Sequence, residues 1–150
     1  NRPRHADLSE EILRAGARIF LRPDGDVTGA LMAADPRSGV DIMMGIGGAA
    51  QGIIIACAVK ALGGAYLARL APQSREEREA IAAAGLDTRR VLTGDDIVSS
   101  NEIFVAATGI TDSAVLDGVH YRGAIAETDS LILRSETGTR RRIRAEHQTV

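Results

Sequence analysis

The chain has 150 residues, of which 45% are hydrophobic and 25% charged, so it fits one globular domain with a core of its own. A formal net charge of −2, with two Phe, two Tyr and no Trp, argues against a nucleic-acid-binding surface, which needs basic patches and stacking partners. The single cysteine, Cys57, excludes an internal disulfide and is typical of a reducing compartment, so we expect a cytoplasmic protein.

The sequence gives no sign of a signal peptide or a membrane span. Its first residues are polar, and the uncharged stretch 42–59 is interrupted by glycines and Gln51, which favours a strand, a turn and a helix over a transmembrane helix. Because the chain starts without Met, we expect either a processed protein or, as the favoured alternative, a piece cut from a longer one.

The first elements in chain order are a basic entry, a helix and a strand. Asn1 to His5 is an extended basic segment, because Pro3 disfavours helix at the preceding residue. Asp7 and Glu10 form a capping-box pattern that predicts a helix ending near Gly16. The alternating residues 17–21 predict a strand.

Two acidic residues follow that strand. Asp24 and Asp26 flank Gly25 and precede a predicted apolar helix, residues 27–34. One aspartate is enough to cap that helix, so the second favours a ligand-binding role over a plain turn.

The next apolar run, 40–46, predicts a buried strand that ends in glycines. Gly45, Gly47 and Gly48 then predict a tight turn into a helix that contains the apolar segment 53–62 and has Gln51 in its first turn. Glycine permits close approach of a ligand to the backbone, and a helix N-terminus attracts anions. A phosphate site and a simple packing turn remain equally open from the turn alone.

The rest of the chain alternates helices and strands before a β-rich end. Capping patterns at Ser74 and at Thr93 predict helices, and Asp95 and Asp96 are better explained by capping than by a metal. The loop 108–112 is either a ligand contact or a plain turn. Strands are predicted at 65–71, 91–92, 102–108 and 118–128, followed by a hairpin of 131–135 with 139–145.

This order of elements predicts an α/β fold, a layered sandwich with a mostly parallel, partly mixed sheet. Because ligands bind at the carboxyl ends of parallel strands, we expect the acids after Pro23 and the glycine turn to form one pocket, with Arg2 and Arg4 near it. Arginines and helix N–H groups suit phosphate, and carboxylates suit hydroxyls or a hard cation. The combination points to a phosphorylated sugar or polyol.

Two alternatives stay open from the residues. Gly45, Gly47 and Ala50 fit a relaxed dinucleotide-binding fingerprint, and Arg69 after the next strand suits the 2′-phosphate of NADP. The other alternative is a binding module without catalysis.

Several motifs, taken in order, resemble class II fructose-1,6-bisphosphatase. They are Arg2-Pro3-Arg4-His5, the segment 23–27, and the run from Met44 to Ala49. The segments 92–98, 106–109 and 121–123 are similar to that family as well. The resemblance covers essentially the whole chain, residues 1–150, as the C-terminal half of that enzyme, including its sugar-phosphatase-like fold.

The resemblance implies a phosphoric monoester hydrolase that removes the 1-phosphate of fructose 1,6-bisphosphate in gluconeogenesis, with Mn²⁺ or Mg²⁺ shared with an N-terminal half. It implies a homo-oligomer without nucleic-acid or membrane partners. Carried over by position, the substrate-binding residues would be Arg2, Pro3, Arg4, Asp24, Gly25, Asp26 and Gly48.

The chain departs from the family pattern at one metal position. The family continues Gly-Gly-Ala-Pro-Glu-Gly, whereas this chain has Ala50 for the proline and Gln51 for the metal-binding glutamate. An amide oxygen is a weaker ligand for a hard cation than a carboxylate. We therefore expect weakened metal binding and no hydrolysis by this chain alone, or a catalytically silent sugar-phosphate-binding relative.

Overall fold

The computed structural model describes residues 3–22 and 25–149, which form helices first and an antiparallel β-sheet afterwards. The α-helices are α1 (Ala6–Arg14), α2 (Asp26–Ala33), α3 (Ala49–Ala61), α4 (Arg75–Ala83) and α5 (Gly94–Ile97), and a 3₁₀ turn, Pro3–His5, precedes α1. The strands are β1 (Leu67–Ala68), β2 (Leu92–Thr93), β3 (Phe104–Thr108), β4 (His120–Arg122), β5 (Ile125–Arg134) and β6 (Thr139–Gln148).

Most helix ends lie where the local sequence predicts them. The Ser74 hydroxyl accepts a hydrogen bond from the Glu77 N–H at the start of α4, and Thr93 and Asp96 form a reciprocal capping box on α5. Gly16 stops α1 in the left-handed region, at a φ of 83°. The predicted cap at Asp7 is wrong, because the N-cap of α1 is His5, two residues earlier, and it makes no side-chain cap hydrogen bond.

The α/β class is confirmed, but the predicted mostly parallel sheet is wrong for the residues that the structure describes. Every strand pair there is antiparallel. β5 lies at the centre of the larger sheet, with β6 along one side and β3 and β4 sharing the other. The reason is local: the tight turn at 135–138 can join β5 only to an antiparallel neighbour.

The two strands predicted nearest the candidate site do not pair. Residues 17–22 and 40–46 are in neither a helix nor a β-ladder. Met43 packs against α2, where its Cγ would lie 3.2 Å from a methyl group added at Gly29. The segments therefore position the loops that follow them without belonging to the sheet.

The main core lies between α3 and the larger sheet. Its buried members include Ala58 on α3 and Leu131 and Leu133 on β5, with Leu31 of α2 and Ile103 packed beside them. Cys57 is half-buried beside this core. Within the described part of the chain, no helix is long and apolar enough to cross a membrane.

Three arginines of β6, Arg140, Arg142 and Arg144, form ion pairs with acids of other segments. Arg142 donates to the buried Asp129 carboxylate at 2.9 Å, and Arg144 lies 2.7 Å from Asp117. The hydrogen bond from Arg142 is the main reason that the pKa of Asp129 lies below its ordinary value. The basic pattern of this strand thus has a structural role in holding the sheet to its surroundings.

Candidate functional site

The structure brings the Asp26 carboxylate directly against the glycine turn. A methyl group added to Gly47 would lie 2.5 Å from Asp26 Oδ2 and 3.7 Å from Gln51 Oε1. Only glycine leaves room for the carboxylate here, because any Cβ would displace it. The loop before α2 and the turn before α3, separated by some twenty residues, therefore meet at one place, as the sequence predicts.

The basic entry segment lies against the same turn and holds its backbone. Arg4 Nε donates to the carbonyl oxygen of Ile46 at 2.9 Å, and the Ile46 N–H donates to His5 Nε2 at 3.0 Å. Both backbone polar groups of one residue are thus satisfied by two consecutive side chains of the 3₁₀ turn. We call these contacts the Arg4–His5 clamp.

The clamp is itself anchored to α1. The hydroxyl of Ser9, one turn into that helix, donates to the His5 carbonyl oxygen at 2.8 Å. To accept from Ile46, the His5 ring must be neutral at Nε2 and carry its proton on Nδ1. The sequence pattern singled out Arg4 but gave His5 no role.

The first turn of α3 offers backbone donors beside Asp26. Gly48 is the N-cap in an extended conformation without a side-chain cap, and the first intrahelical bond runs from Gly52 to Gly48. The N–H groups of residues 49–51 precede the first intrahelical donor, so they remain for an anion or water. No side chain of the described residues crowds Gly48, where an added methyl group would meet nothing within 4 Å.

Tyr66 closes one side of this region and was missed by the sequence reasoning. Its hydroxyl would lie 3.2 Å from a methyl group added at Gly52. Burial and the charge of Asp26 raise the pKa of Tyr66, which keeps the phenol protonated and able to donate a hydrogen bond. No motif marks it, since its proximity arises only from the fold.

The remaining predicted site residues fall around this centre. Gly25 is the exposed N-cap of α2, and Gln51 is the third residue of α3, with an exposed side chain. Pro3 begins the 3₁₀ turn. Arg2 and Asp24 lie outside the described residues, so the structure says nothing of their positions.

The other acidic candidates hold the fold together. Asp96 caps α5 and accepts from Arg90, and Asp95 pairs with Lys60 at 2.6 Å. In the loop after β3, Asp112 accepts from the Gly118 N–H at 2.8 Å, which lowers its pKa. Of the two open interpretations of that loop, the structure favours a structural turn.

The donor set of the described residues does not by itself fit a metal ion. Among the described residues, no group of three or more His, Cys, Asp or Glu side chains could hold one. Near the turn the described oxygen donors are Asp26 and the amide of Gln51, whereas a divalent cation needs several carboxylate or carbonyl ligands. The site, as this chain builds it, is suited to a phosphate and to hydroxyl groups.

Comparison with known proteins agrees with this chemistry. The family model described as bacterial fructose-1,6-bisphosphatase, glpX-encoded, matches residues 1–147. The fructose-1,6-bisphosphatase class 2 of Haemophilus influenzae is 35% identical, over 97% of this chain and 48% of that protein. Fructose-1,6-bisphosphatase 1 class 2 of Escherichia coli K12 is also 35% identical, over 97% of this chain and 47% of that protein.

The chain therefore spans about half the length of the curated relatives that it matches, and the matched part is their C-terminal portion. The matched model covers nearly every residue, including the clamp, the loop before α2 and the glycine turn. The chain belongs to the bacterial class 2 fructose-1,6-bisphosphatase family.

Proposed function

We propose that this chain is the substrate-binding half of a fructose-1,6-bisphosphatase, a phosphoric monoester hydrolase of gluconeogenesis that removes the 1-phosphate of fructose 1,6-bisphosphate. The observation that carries this proposal is the contact between the Asp26 carboxylate and Gly47, because it joins the two loops that a sugar phosphate would bridge. We further propose that the complete protein is cytoplasmic and homo-oligomeric.

Two kinds of polar group in this region suit different parts of a sugar phosphate: positive donors and a carboxylate acceptor. The N–H groups at the start of α3 and the guanidinium of Arg4 favour a phosphate, since both are positive and directional. Asp26 accepts hydrogen bonds from sugar hydroxyls, and its negative charge disfavours a phosphate next to it. A sugar phosphate lying across the turn satisfies both, whereas inorganic phosphate satisfies only the first.

Hydrolysis needs more than this chain provides. The family implies Mn²⁺ or Mg²⁺, and the oxygen donors described here are too few to hold such an ion. We propose that the remaining ligands of the ion come from the half of the enzyme that the relatives have and that this chain does not match. The expected result is that the isolated 150 residues release no phosphate in the presence of Mn²⁺; release that persists through stringent purification contradicts this.

A second candidate is a catalytically silent sugar-phosphate-binding relative. The observation that favours it is Gln51, which stands where the family pattern has a metal-binding glutamate and lies close to Asp26 and Gly47. A neutral amide at this position leaves substrate binding intact and weakens the cation.

Calorimetric titration of the chain tests sugar-phosphate binding, which both candidate functions require. We expect fructose 1,6-bisphosphate to bind more tightly than inorganic phosphate, and NADPH to bind no better than phosphate. Arg4→Met should weaken fructose 1,6-bisphosphate binding about tenfold, as loss of a charge-assisted contact does. The matched control is Arg14→Met, which removes an arginine paired with Glu10 on the surface of α1.

Two outcomes would overturn the assignment. Tight NADPH binding without fructose 1,6-bisphosphate binding would favour a dinucleotide site. Equal loss of affinity in the Arg4 and Arg14 variants would show that the entry segment contributes only general positive charge.

A further inference from the structure

Tyr66 brings a hydroxyl group without a protein partner to the edge of the candidate site. The hydroxyl oxygen would lie 3.2 Å from a methyl group added at Gly52, in the first turn of α3. Gly48 precedes Gly52 by four residues, so it lies one turn closer to the helix N-terminus on the same face. In the described part of the chain, no residue forms a hydrogen bond with this hydroxyl. A half-buried phenol normally finds a partner, so its absence here needs an explanation.

The position of Tyr66 is fixed from two sides. Its ring packs against a small apolar cluster of α2 and α3, whose buried members are Ala30, Ile55 and Val59. Its backbone carbonyl oxygen accepts a hydrogen bond from the Gly94 N–H at 2.9 Å, beside the paired strands β1 and β2. The hydroxyl is therefore held in place before a ligand arrives, and binding needs little further ordering of this side chain.

The Asp26 carboxylate supplies an acceptor close to this donor. It approaches from the start of α2 and occupies the space that Gly47 leaves free. Burial and then the charge of Asp26 raise the pKa of Tyr66, so the phenol is protonated and lies within electrostatic range of the carboxylate. No hydrogen bond joins these two described side chains. A donor and an acceptor are thus close together without satisfying each other.

The chemistry of the two groups decides what fits with both. A sugar hydroxyl donates its proton to the carboxylate of Asp26 and accepts one from the phenol of Tyr66. A phosphate oxygen accepts only, and the carboxylate repels its charge at short range. An amide N–H donates only, so it would leave the phenol without an acceptor. A hydroxyl group is therefore the ligand group that satisfies both.

We propose that Tyr66 is a substrate-binding residue that, together with Asp26, recognises one hydroxyl group of the sugar. The hydroxyl donates to the carboxylate and accepts from the phenol, so the pair favours phosphorylated sugars and polyols over phosphate esters that lack a hydroxyl. This inference rests on the proposed function and deepens it by naming a residue that determines specificity. Two explanations compete with it: a purely structural role of the ring, and a hydrogen bond from Tyr66 to the phosphate.

Calorimetric titration of Tyr66→Phe separates these explanations, because the variant loses the hydroxyl and keeps the ring. We expect fructose 1,6-bisphosphate to bind about fivefold more weakly, as loss of one neutral hydrogen bond predicts, while the affinity for inorganic phosphate stays the same. The melting temperature should not fall, since the hydroxyl has no partner within the described chain. The matched control is Tyr121→Phe, which removes the other tyrosine hydroxyl, on the 72% exposed Tyr121 of β4, and should change none of these quantities.

NMR of the ring carbon that bears the hydroxyl reports the contact directly. The chain has two tyrosines, so ¹³C labelling at Cζ gives two signals, which the two Phe variants assign. Fructose 1,6-bisphosphate should shift the Tyr66 signal and leave the Tyr121 signal unchanged. Inorganic phosphate should shift neither signal.

Three results would overturn the inference. Equal losses of affinity for fructose 1,6-bisphosphate and inorganic phosphate in Tyr66→Phe would assign the hydroxyl to the phosphate. A lower melting temperature without a selective loss of sugar-phosphate affinity would assign it a structural role. An unshifted Tyr66 signal in the sugar-phosphate complex would show that the hydroxyl does not touch the ligand.

Failure of this inference differs from failure of the proposed function. If the parent chain binds fructose 1,6-bisphosphate no better than inorganic phosphate, the proposed function fails and the role of Tyr66 fails with it. If the parent chain binds the sugar phosphate selectively and Tyr66→Phe binds it equally well, the role of Tyr66 alone is refuted.

Discussion

Replacing His5 with leucine should loosen the glycine turn without unfolding the protein. The His5 ring accepts the Ile46 N–H at 3.0 Å, and Arg4 binds the carbonyl oxygen of the same residue. Leucine fills a similar volume but has no acceptor. His5→Gln is the matched control, because the amide oxygen of glutamine can reach as far as Nε2 and accept the same hydrogen bond.

The magnitude follows from the burial of the hydrogen bond. A donor left without an acceptor costs about 1–3 kcal/mol when fully buried. The His5–Ile46 pair is only partly buried, so the lower end, about 1 kcal/mol, applies here. A loss of about 1 kcal/mol lowers the equilibrium ratio of the closed turn to its open forms about fivefold.

The assay is amide exchange at Ile46, read by NMR alongside titration with fructose 1,6-bisphosphate. We expect His5→Leu to raise the Ile46 exchange rate about fivefold and to weaken sugar-phosphate binding by a similar factor, since a ligand must then order the turn. His5→Gln should restore most of both. If the leucine and glutamine variants behave alike, or if binding weakens while Ile46 exchange does not change, the clamp does not position the turn.

Three further variants test the site and its surroundings. Gly47→Ala should displace the Asp26 carboxylate and weaken sugar-phosphate binding about tenfold by calorimetry while thermal stability changes little; unchanged binding would mean that the contact has no ligand role. Gln51→Glu, in one polypeptide that joins the non-matching half of the Haemophilus relative to this chain, should raise Mn²⁺ affinity about tenfold and increase turnover, and no gain in either would count against a ligand position. The hydrogen bond from Arg142 is the chief reason that the pKa of Asp129 is lowered in the folded protein. The ionised Asp129 carboxylate therefore contributes its full stabilisation when the pH is above the pKa of an unfolded aspartate, about 3.9, and the contribution is lost as the pH falls below that value. Melting temperatures from pH 7 to pH 2 should therefore fall less steeply in Asp129→Asn than in the parent, and identical slopes would show that this pair does not contribute.

Helix boundaries were predictable because their determinants are local. Ser74 and Thr93 bind N–H groups three residues away, and Gly16 and Gly85 end helices with positive φ. The one clear error, the cap at Asp7, arose because the 3₁₀ turn at Pro3–His5 starts the helix earlier than the capping pattern indicates.

The meeting of the two site loops was also predictable, though for a reason that the structure corrects. In a parallel sheet the two loops would meet because the carboxyl ends of neighbouring strands lie at one edge. The structure reaches the same juxtaposition by packing α2 against α3, whose first turns lie side by side, so Asp26 contacts Gly47 without any ladder between the preceding segments. His5 and Tyr66 were not predictable, because each contacts the turn through tertiary packing and no spacing in the sequence records it.

The apolar run 40–46, predicted to be a buried strand, shows why the sheet was predicted wrongly. At 40–46 Met43 is half-buried against α2, whereas Ile42 and Met44 are exposed. Among residues 3–22 and 25–149, the stretch 41–45 has no backbone hydrogen-bonding neighbour. A local pattern fixes the conformation and the face of a strand, whereas pairing needs a partner in space. At 40–46 the apolar pattern is satisfied by Met43, which packs against α2, whereas β-pairing would need a backbone neighbour that the described residues do not supply.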